Sequence, residues 1–181
     1  MLNWPLGTLL TGTVVAAALG AAAPGPGSPT PRAHTDSTAA WARYFRGTWH
    51  CQGAFASGKP LAADIAFTAL LGGRWLQYHH TDRAPGAYEA LALWGPTTGT
   101  AAPPPTTFYD NFGGTRRFIS AGWQDSALVF VRDTTERGAR AERFAFRQRS
   151  DTAFWFAWEL QRPSGAGWVV GDSLTCARAA A

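Results

Sequence analysis

The chain has 181 residues, the size of one domain with at most a tail, and this length excludes large multidomain enzymes. Hydrophobic residues make up 46% of the sequence and charged residues only 15%, so the composition predicts a large core and excludes an intrinsically disordered protein. The net charge is +4, and the arginines that supply almost all of the positive charge are spread along the chain. We therefore expect no nucleic-acid partner.

The N-terminal segment has the features of a secretory signal peptide. Residues 1–23 contain no charged side chain, and the apolar run at residues 9–22 ends in small residues. Ala21-Ala22-Ala23 fits a cleavage site of the A-x-A kind. An N-terminal anchor that is not cleaved is the alternative interpretation. We expect a secreted or periplasmic protein that has no membrane attachment after cleavage.

The sequence predicts a linker and a short helix ahead of the main domain. Residues 24–35 are rich in proline and glycine and should be disordered, so the folded domain is predicted to cover residues 36–181. Asp36-Ser37-Thr38 precedes the segment AAWARYF, and together they predict a short capped helix. The aromatic residues on one side of this helix are Trp41, Tyr44 and Phe45.

From residue 47 onwards the pattern is typical of an all-β domain. Segments of five to ten residues rich in Trp, Phe, Tyr, Val and Thr alternate with clusters of Gly, Pro, Asp and Asn. We find no second long helix, which excludes nucleotide-binding βαβ folds. The ten predicted strands cover residues 47–55, 62–69, 74–81, 87–94, 106–110, 115–121, 127–132, 141–148, 153–160 and 168–177.

The two cysteines predict how the sheet closes. Cys51 and Cys176 lie on the apolar faces of the first and last strands, and in an oxidising compartment they are a candidate disulfide. An antiparallel register that places them opposite each other also places Trp49 opposite Arg178. A guanidinium over an indole is a favourable cation–π contact. Since a sheet whose first and last strands pair is closed, we predict an antiparallel up-and-down barrel of about ten strands.

These features resemble the calycin superfamily. Its signature is a Gly-x-Trp at the start of the first strand, preceded by a short helix, with an arginine from the last strand covering the Trp; here Gly47, Trp49 and Arg178 match it. The chain is also similar to bacterial exported proteins of unknown function with a lipocalin-like barrel. The segments that carry this similarity are 47–55, 71–80, 108–118, 121–130 and 159–178. The resemblance implies a fold and leaves the activity open.

Neither a heme nor a metal ion is expected. Nitrobindin-type barrels look similar, and that resemblance would imply heme held by a histidine in the C-terminal part, but this chain has no histidine after His80. His79 and His80 are neighbours on a predicted strand, so their rings face opposite sides of the sheet and cannot share one ion. We predict no cofactor.

The inward aromatic residues suggest a site for a small apolar or aromatic molecule inside the barrel. The same residues would also fill a narrow barrel, so a packed structural or interaction module is the alternative. The aromatic residues predicted to line the interior are Phe67, Phe144, Phe146, Phe156 and Trp158.

Three polar residues are further candidates for the ligand site. Tyr109 starts a turn-forming segment, Tyr109–Gly114, that fits a tight hairpin or, alternatively, a polar group at the barrel mouth beside Arg116 or Arg117. Glu142 shares the predicted face of Phe144 and either enters the cavity or lies at a solvated strand end. With His79, these residues would be the acid or base if the barrel were an enzyme acting on a hydrophobic substrate.

Overall fold

The computed structural model describes residues 39–97, 105–135 and 140–180, and these form one helix and eleven strands. The helix is short and carries three buried residues, two of them aromatic. The elements are α1 (Ala40–Phe45), β1 (Gly47–Phe55), β2 (Pro60–Leu70), β3 (Trp75–Asp82), β4 (Glu89–Trp94), β5 (Thr106–Asp110), β6 (Thr115–Ile119), β7 (Trp123–Gln124), β8 (Ala127–Arg132), β9 (Glu142–Ser150), β10 (Ala153–Gln161) and β11 (Trp168–Arg178).

Ten of the strands close into an antiparallel barrel, as predicted. Each pairs with its neighbours in chain order, except that β6 pairs directly with β8. The two-residue strand β7 lies outside this circuit and pairs only with β8. The predicted strands agree with the observed ones to within two residues at every terminus, and β7 is the strand that the sequence did not reveal.

The first and last strands pair in the predicted register. Cys51 lies opposite Cys176 and Trp49 opposite Arg178 in the β1–β11 ladder. The two cysteines form a disulfide with their Cα atoms 4.0 Å apart. The Arg178 guanidinium lies 4.1 Å from the centre of the Trp49 ring, and it also donates hydrogen bonds to the backbone oxygens of Tyr44 and Arg46. The predicted cation–π pair therefore also fixes the helix to the barrel.

One end of the barrel, which we call the helix end, is filled by α1. Phe45 is fully buried and its ring centre lies 5.0 Å from that of Phe67 and 5.4 Å from that of Phe154. The Trp49 indole N–H donates to the Phe45 backbone oxygen at 2.7 Å, which ties the helix C-terminus to β1. The helix end is therefore a closely packed aromatic core.

Several predictions concern residues outside the described part of the chain. The signal peptide at 1–23, the linker at 24–35 and the capping residues Asp36-Ser37-Thr38 all lie there. Within the described part, the helix N-cap is Ala39, which makes no side-chain capping hydrogen bond. The described residues contain no helix with the length and apolar character needed to span a bilayer.

Candidate ligand-binding site

The opposite end of the barrel, which we call the cavity end, contains a cavity of about 700 Å³. This volume lies within the range of small-molecule sites, roughly 300–1,000 Å³. Exposed residues of the β1–β2 and β3–β4 turns form its rim, and buried residues form its floor. Its principal apolar lining residues are Phe55, Leu61, Phe112, Phe144, Phe156 and Trp158, and its polar ones are His80, Asp82, Tyr88, Arg116 and Asp172.

Strand alternation directs these side chains inward. On β3, Tyr78 and His80 are buried, whereas His79 between them forms an exposed hydrogen bond with Glu89 at 2.7 Å. On β10, Phe156 points inward, and the register shifts after Trp158, which lies opposite Asp172 of β11. Because residues directly opposite each other share one face of a sheet, the Trp158 indole and the Asp172 carboxylate are neighbours in the cavity wall.

His80 lies in the middle of a buried hydrogen-bonded row. Tyr78 Oη lies 3.0 Å from His80 Nδ1, and His80 Nε2 lies 2.9 Å from Asp82 Oδ1. Burial raises the pKa of Tyr78 well above its usual range, so its hydroxyl keeps its proton. When His80 is neutral, Tyr78 is the donor to Nδ1, which leaves Nε2–H to donate to Asp82. Both ring nitrogens are thus occupied, so His80 could act as a base only after one of these contacts breaks.

Asp172 is a cavity-lining carboxylate whose pKa is raised. Burial raises its pKa from 3.8 to about 6, although the charge interaction with His80 and a hydrogen bond from the Trp158 backbone N–H lower it. Its Oδ1 atom is buried and has no hydrogen-bond partner. Asp172 therefore lines the cavity with a carboxylate that has one buried oxygen whose hydrogen-bonding capacity is unused.

Arg116 lies at the centre of a second polar group. Its guanidinium donates to Tyr88 Oη at 2.8 Å, to Asp110 Oδ2 at 3.3 Å and to Glu142 Oε2 at 3.4 Å. The Trp158 indole N–H donates to the same Glu142 oxygen at 2.7 Å. This cluster fixes one edge of the indole and holds the walls of β6, β9 and β10 together.

The β5–β6 hairpin forms part of the rim. Asp110 Oδ1 accepts hydrogen bonds from the backbone N–H groups of Phe112 and Gly114, at 3.1 and 2.8 Å, so the segment is the tight turn that its composition predicts. Phe112 at the tip is 73% exposed, lines the cavity and stacks on Tyr88 with ring centres 6.3 Å apart. The turn therefore presents an apolar side chain at the mouth.

The structure separates the sequence-predicted site residues into three groups. Phe144, Phe156 and Trp158 line the cavity, and Glu142 lies behind them in contact with Trp158. Glu142 is only 6% exposed, so its interpretation as a solvated strand end is wrong. The remaining candidates lie away from the cavity: Phe67 and Phe146 are buried beside α1, and His79 and Tyr109 point outward from the barrel.

Sequence reasoning named Arg116 as one of two arginines at the barrel mouth, but it missed four other polar lining residues, which are His80, Asp82, Tyr88 and Asp172. A signal was present for two of them. Asp172 and Cys176 are four residues apart on the last strand, so alternation alone places both side chains on the apolar, inward face. His80 shares a face of β3 with Leu76 and Tyr78. The other face of that strand also carries a Trp and a His, so the sequence does not show which face is the apolar one.

Comparison with known proteins supports the fold alone. No protein-family model matches the sequence, and no curated protein matches it either. Among solved structures, the chain is similar to the crystal structure of Rv2717c from M. tuberculosis, with a TM-score of 0.51 and 12% sequence identity. This match covers 76% of the present chain and 94% of that chain. The similarity agrees with a barrel and carries no information about a ligand.

Proposed function

We propose that this protein binds a small, mainly apolar or aromatic molecule in the cavity end of its barrel. The observation that supports the proposal is a cavity of about 700 Å³ walled by Phe144, Phe156 and Trp158 in a barrel whose other end is closely packed. A barrel that served only as a packed module would gain stability by filling this space.

Export of the protein is part of the proposal. A structural disulfide between Cys51 and Cys176 is consistent with an oxidising compartment. The apolar N-terminal segment provides the corresponding signal in the sequence. We therefore place the binding reaction outside the cytoplasm, in the periplasm or the secreted fraction, as in the exported lipocalin-like proteins that the sequence resembles.

The proposal is tested by filling the cavity. Leu61 is buried and lines the cavity, whereas Leu93 is half-exposed on the outside of the barrel. We expect the neutral fluorescent probe N-phenyl-1-naphthylamine to bind saturably to the wild-type protein. Leu61→Trp should weaken this binding about tenfold or more, because the larger side chain occupies ligand space, and Leu93→Trp should leave it unchanged.

Two checks accompany this titration. A second variant that fills the cavity, Phe156→Trp, should weaken binding in the same way. A thermal melt of each variant shows whether weaker binding comes from a smaller cavity or from unfolding of the protein. Native mass spectrometry of protein purified from its own host should show a retained small molecule. Absence of saturable binding to the folded wild-type protein, or an equal loss in the Leu61 and Leu93 variants, would contradict the proposed function.

A further inference from the structure

The only guanidinium that lines the inner part of the cavity within the described residues is already neutralised. Arg116 contacts two carboxylates, Asp110 and Glu142, and the hydroxyl of Tyr88, and Glu142 also pairs with Arg132 at 3.7 Å. An anionic ligand that approached Arg116 would have to compete with both carboxylates. The cavity is therefore poorly suited to an acidic ligand.

The carboxylates that line the cavity are in a different situation. Asp82 accepts a hydrogen bond from His80, while Asp172 has one oxygen with no partner and is bonded only to a backbone N–H. The other cations of the lining lie at the rim, where Lys59 is exposed and Arg83 is bound to Asp64 at 2.6 Å. Asp172 therefore lines the cavity and, among the described residues, is hydrogen-bonded to no cationic group, although a charge interaction with His80 lowers its pKa.

The neighbours of Asp172 favour one kind of ligand group. The Trp158 indole lies beside it and packs against Gly171, where an added Cβ would come within 2.5 Å of the ring. An aromatic face beside a carboxylate is the combination that binds substituted ammonium groups, through a cation–π contact and a charge-assisted hydrogen bond. The aromatic walls provided by Phe144 and Phe156 then accommodate the apolar part of the same molecule.

We infer that the ligand is an amphiphilic amine, with an aromatic or aliphatic body in the aromatic part of the cavity and a protonated amino group bound by Asp172 beside Trp158. This inference rests on the proposed function, since it names the class of molecule that the same cavity takes. Asp172 is the residue that distinguishes an amine from a neutral or acidic ligand of the same shape.

The test uses three compounds that share a naphthalene body, measured by calorimetric titration with the full chain at neutral pH. They are 2-(1-naphthyl)ethylamine, 2-(1-naphthyl)ethanol and 1-naphthaleneacetate. We expect the amine to bind about tenfold or more tightly than the alcohol, and the carboxylate to bind most weakly. Asp172→Asn should remove the preference for the amine, so that the ratio of the amine affinity to the alcohol affinity falls about tenfold or more, to near one.

A matched control is available at the other end of the molecule. Asp151→Asn makes the same charge change in the exposed β9–β10 turn at the helix end, and it should alter none of the three affinities. If the compounds bind with no preference for the amine, or if Asp172→Asn keeps that preference, the inference is wrong and the proposed function stands. If none of the three binds to the folded protein, the proposed function fails and the inference fails with it.

Discussion

The helix end and the cavity end are built from the same strands and differ in what fills the space between them. On β10, Phe154 and Phe156 lie two residues apart on the inner face and are 0% and 4% exposed. Phe154 packs against Phe45 of α1, whereas Phe156 borders the cavity. A ten-stranded barrel is thus wider than its own aromatic side chains can fill, and the helix supplies the missing volume at one end only.

The two ends also differ in charge. The ionisable groups that line the barrel interior gather at the cavity end, where Asp82, Arg116, Glu142 and Asp172 lie close to one another. Such groups lower stability unless each is paired, and their position beside a cavity is consistent with the proposed binding function. We therefore expect the helix end to supply most of the stability and the cavity end most of the specificity.

The largest effect should come from the disulfide that joins β1 to β11 next to the helix end. Cys51 and Cys176 are 125 residues apart in sequence, and Cys176 pairs with Phe154 across the β10–β11 ladder. Closing so long a loop stabilises a protein by about 4 to 5 kcal/mol in the chain-entropy account. The double substitution Cys51→Ala and Cys176→Ala should lower the free energy of unfolding in urea by about this amount.

The control for this prediction is the reducing agent itself. Reduction should destabilise the wild-type protein about as much as the double substitution does, and it should leave the melt of the double variant unchanged. An unfolding midpoint of the wild-type protein that does not move on reduction would contradict a stabilising role for the disulfide.

The second prediction compares the two ends directly through Phe154 and Phe156. Phe154→Ala should cost about 4 kcal/mol, because it removes a ring that is surrounded on all sides. Phe156→Ala should cost less, about 2 kcal/mol, since this ring borders the cavity and a void beside it already exists. Urea unfolding of both variants measures the difference. Equal costs would mean that the cavity end is as closely packed as the helix end.

The contrast between the ends also explains what the sequence could predict. The strands, the β1–β11 register and the disulfide follow from alternation and from two cysteines on apolar faces, which are local patterns. The cavity exists because α1 fills only one end of the barrel, and no local sequence pattern shows how far the helix reaches. Phe146 and Phe156 both look like inward aromatic residues, yet only Phe156 borders the cavity. The two residues of β7 are too few to show any alternation.

The third prediction concerns the pH dependence of stability at the cavity end. Burial raises the pKa of Asp172 to about 6 in the folded protein, from 3.8 in an unfolded chain, and the groups that interact with it are His80 and Asp82 of β3 together with Tyr78 and Tyr88. Because folding raises this pKa, the folded protein favours the protonated form of Asp172. Its contribution to stability is therefore fully present below pH 4 and is lost as the carboxyl ionises when the pH rises through 6. Two pKa units correspond to about 3 kcal/mol at most.

Asp172→Asn removes this ionisation and keeps an oxygen that can accept the Trp158 backbone hydrogen bond. We expect the variant to be about 2 kcal/mol more stable than the wild-type protein at pH 7.5 and equal to it at pH 4, as measured by urea unfolding at the two pH values. Asp151→Asn, at the exposed turn of the helix end, should have the same free energy of unfolding as the wild-type protein at both pH values. If Asp172→Asn were less stable than the wild-type protein at pH 7.5, the Asp172 carboxylate would be stabilising the fold through its contacts. A gain in stability, together with loss of amine binding, would mean that the cavity end retains an uncompensated charge because ligand binding requires it.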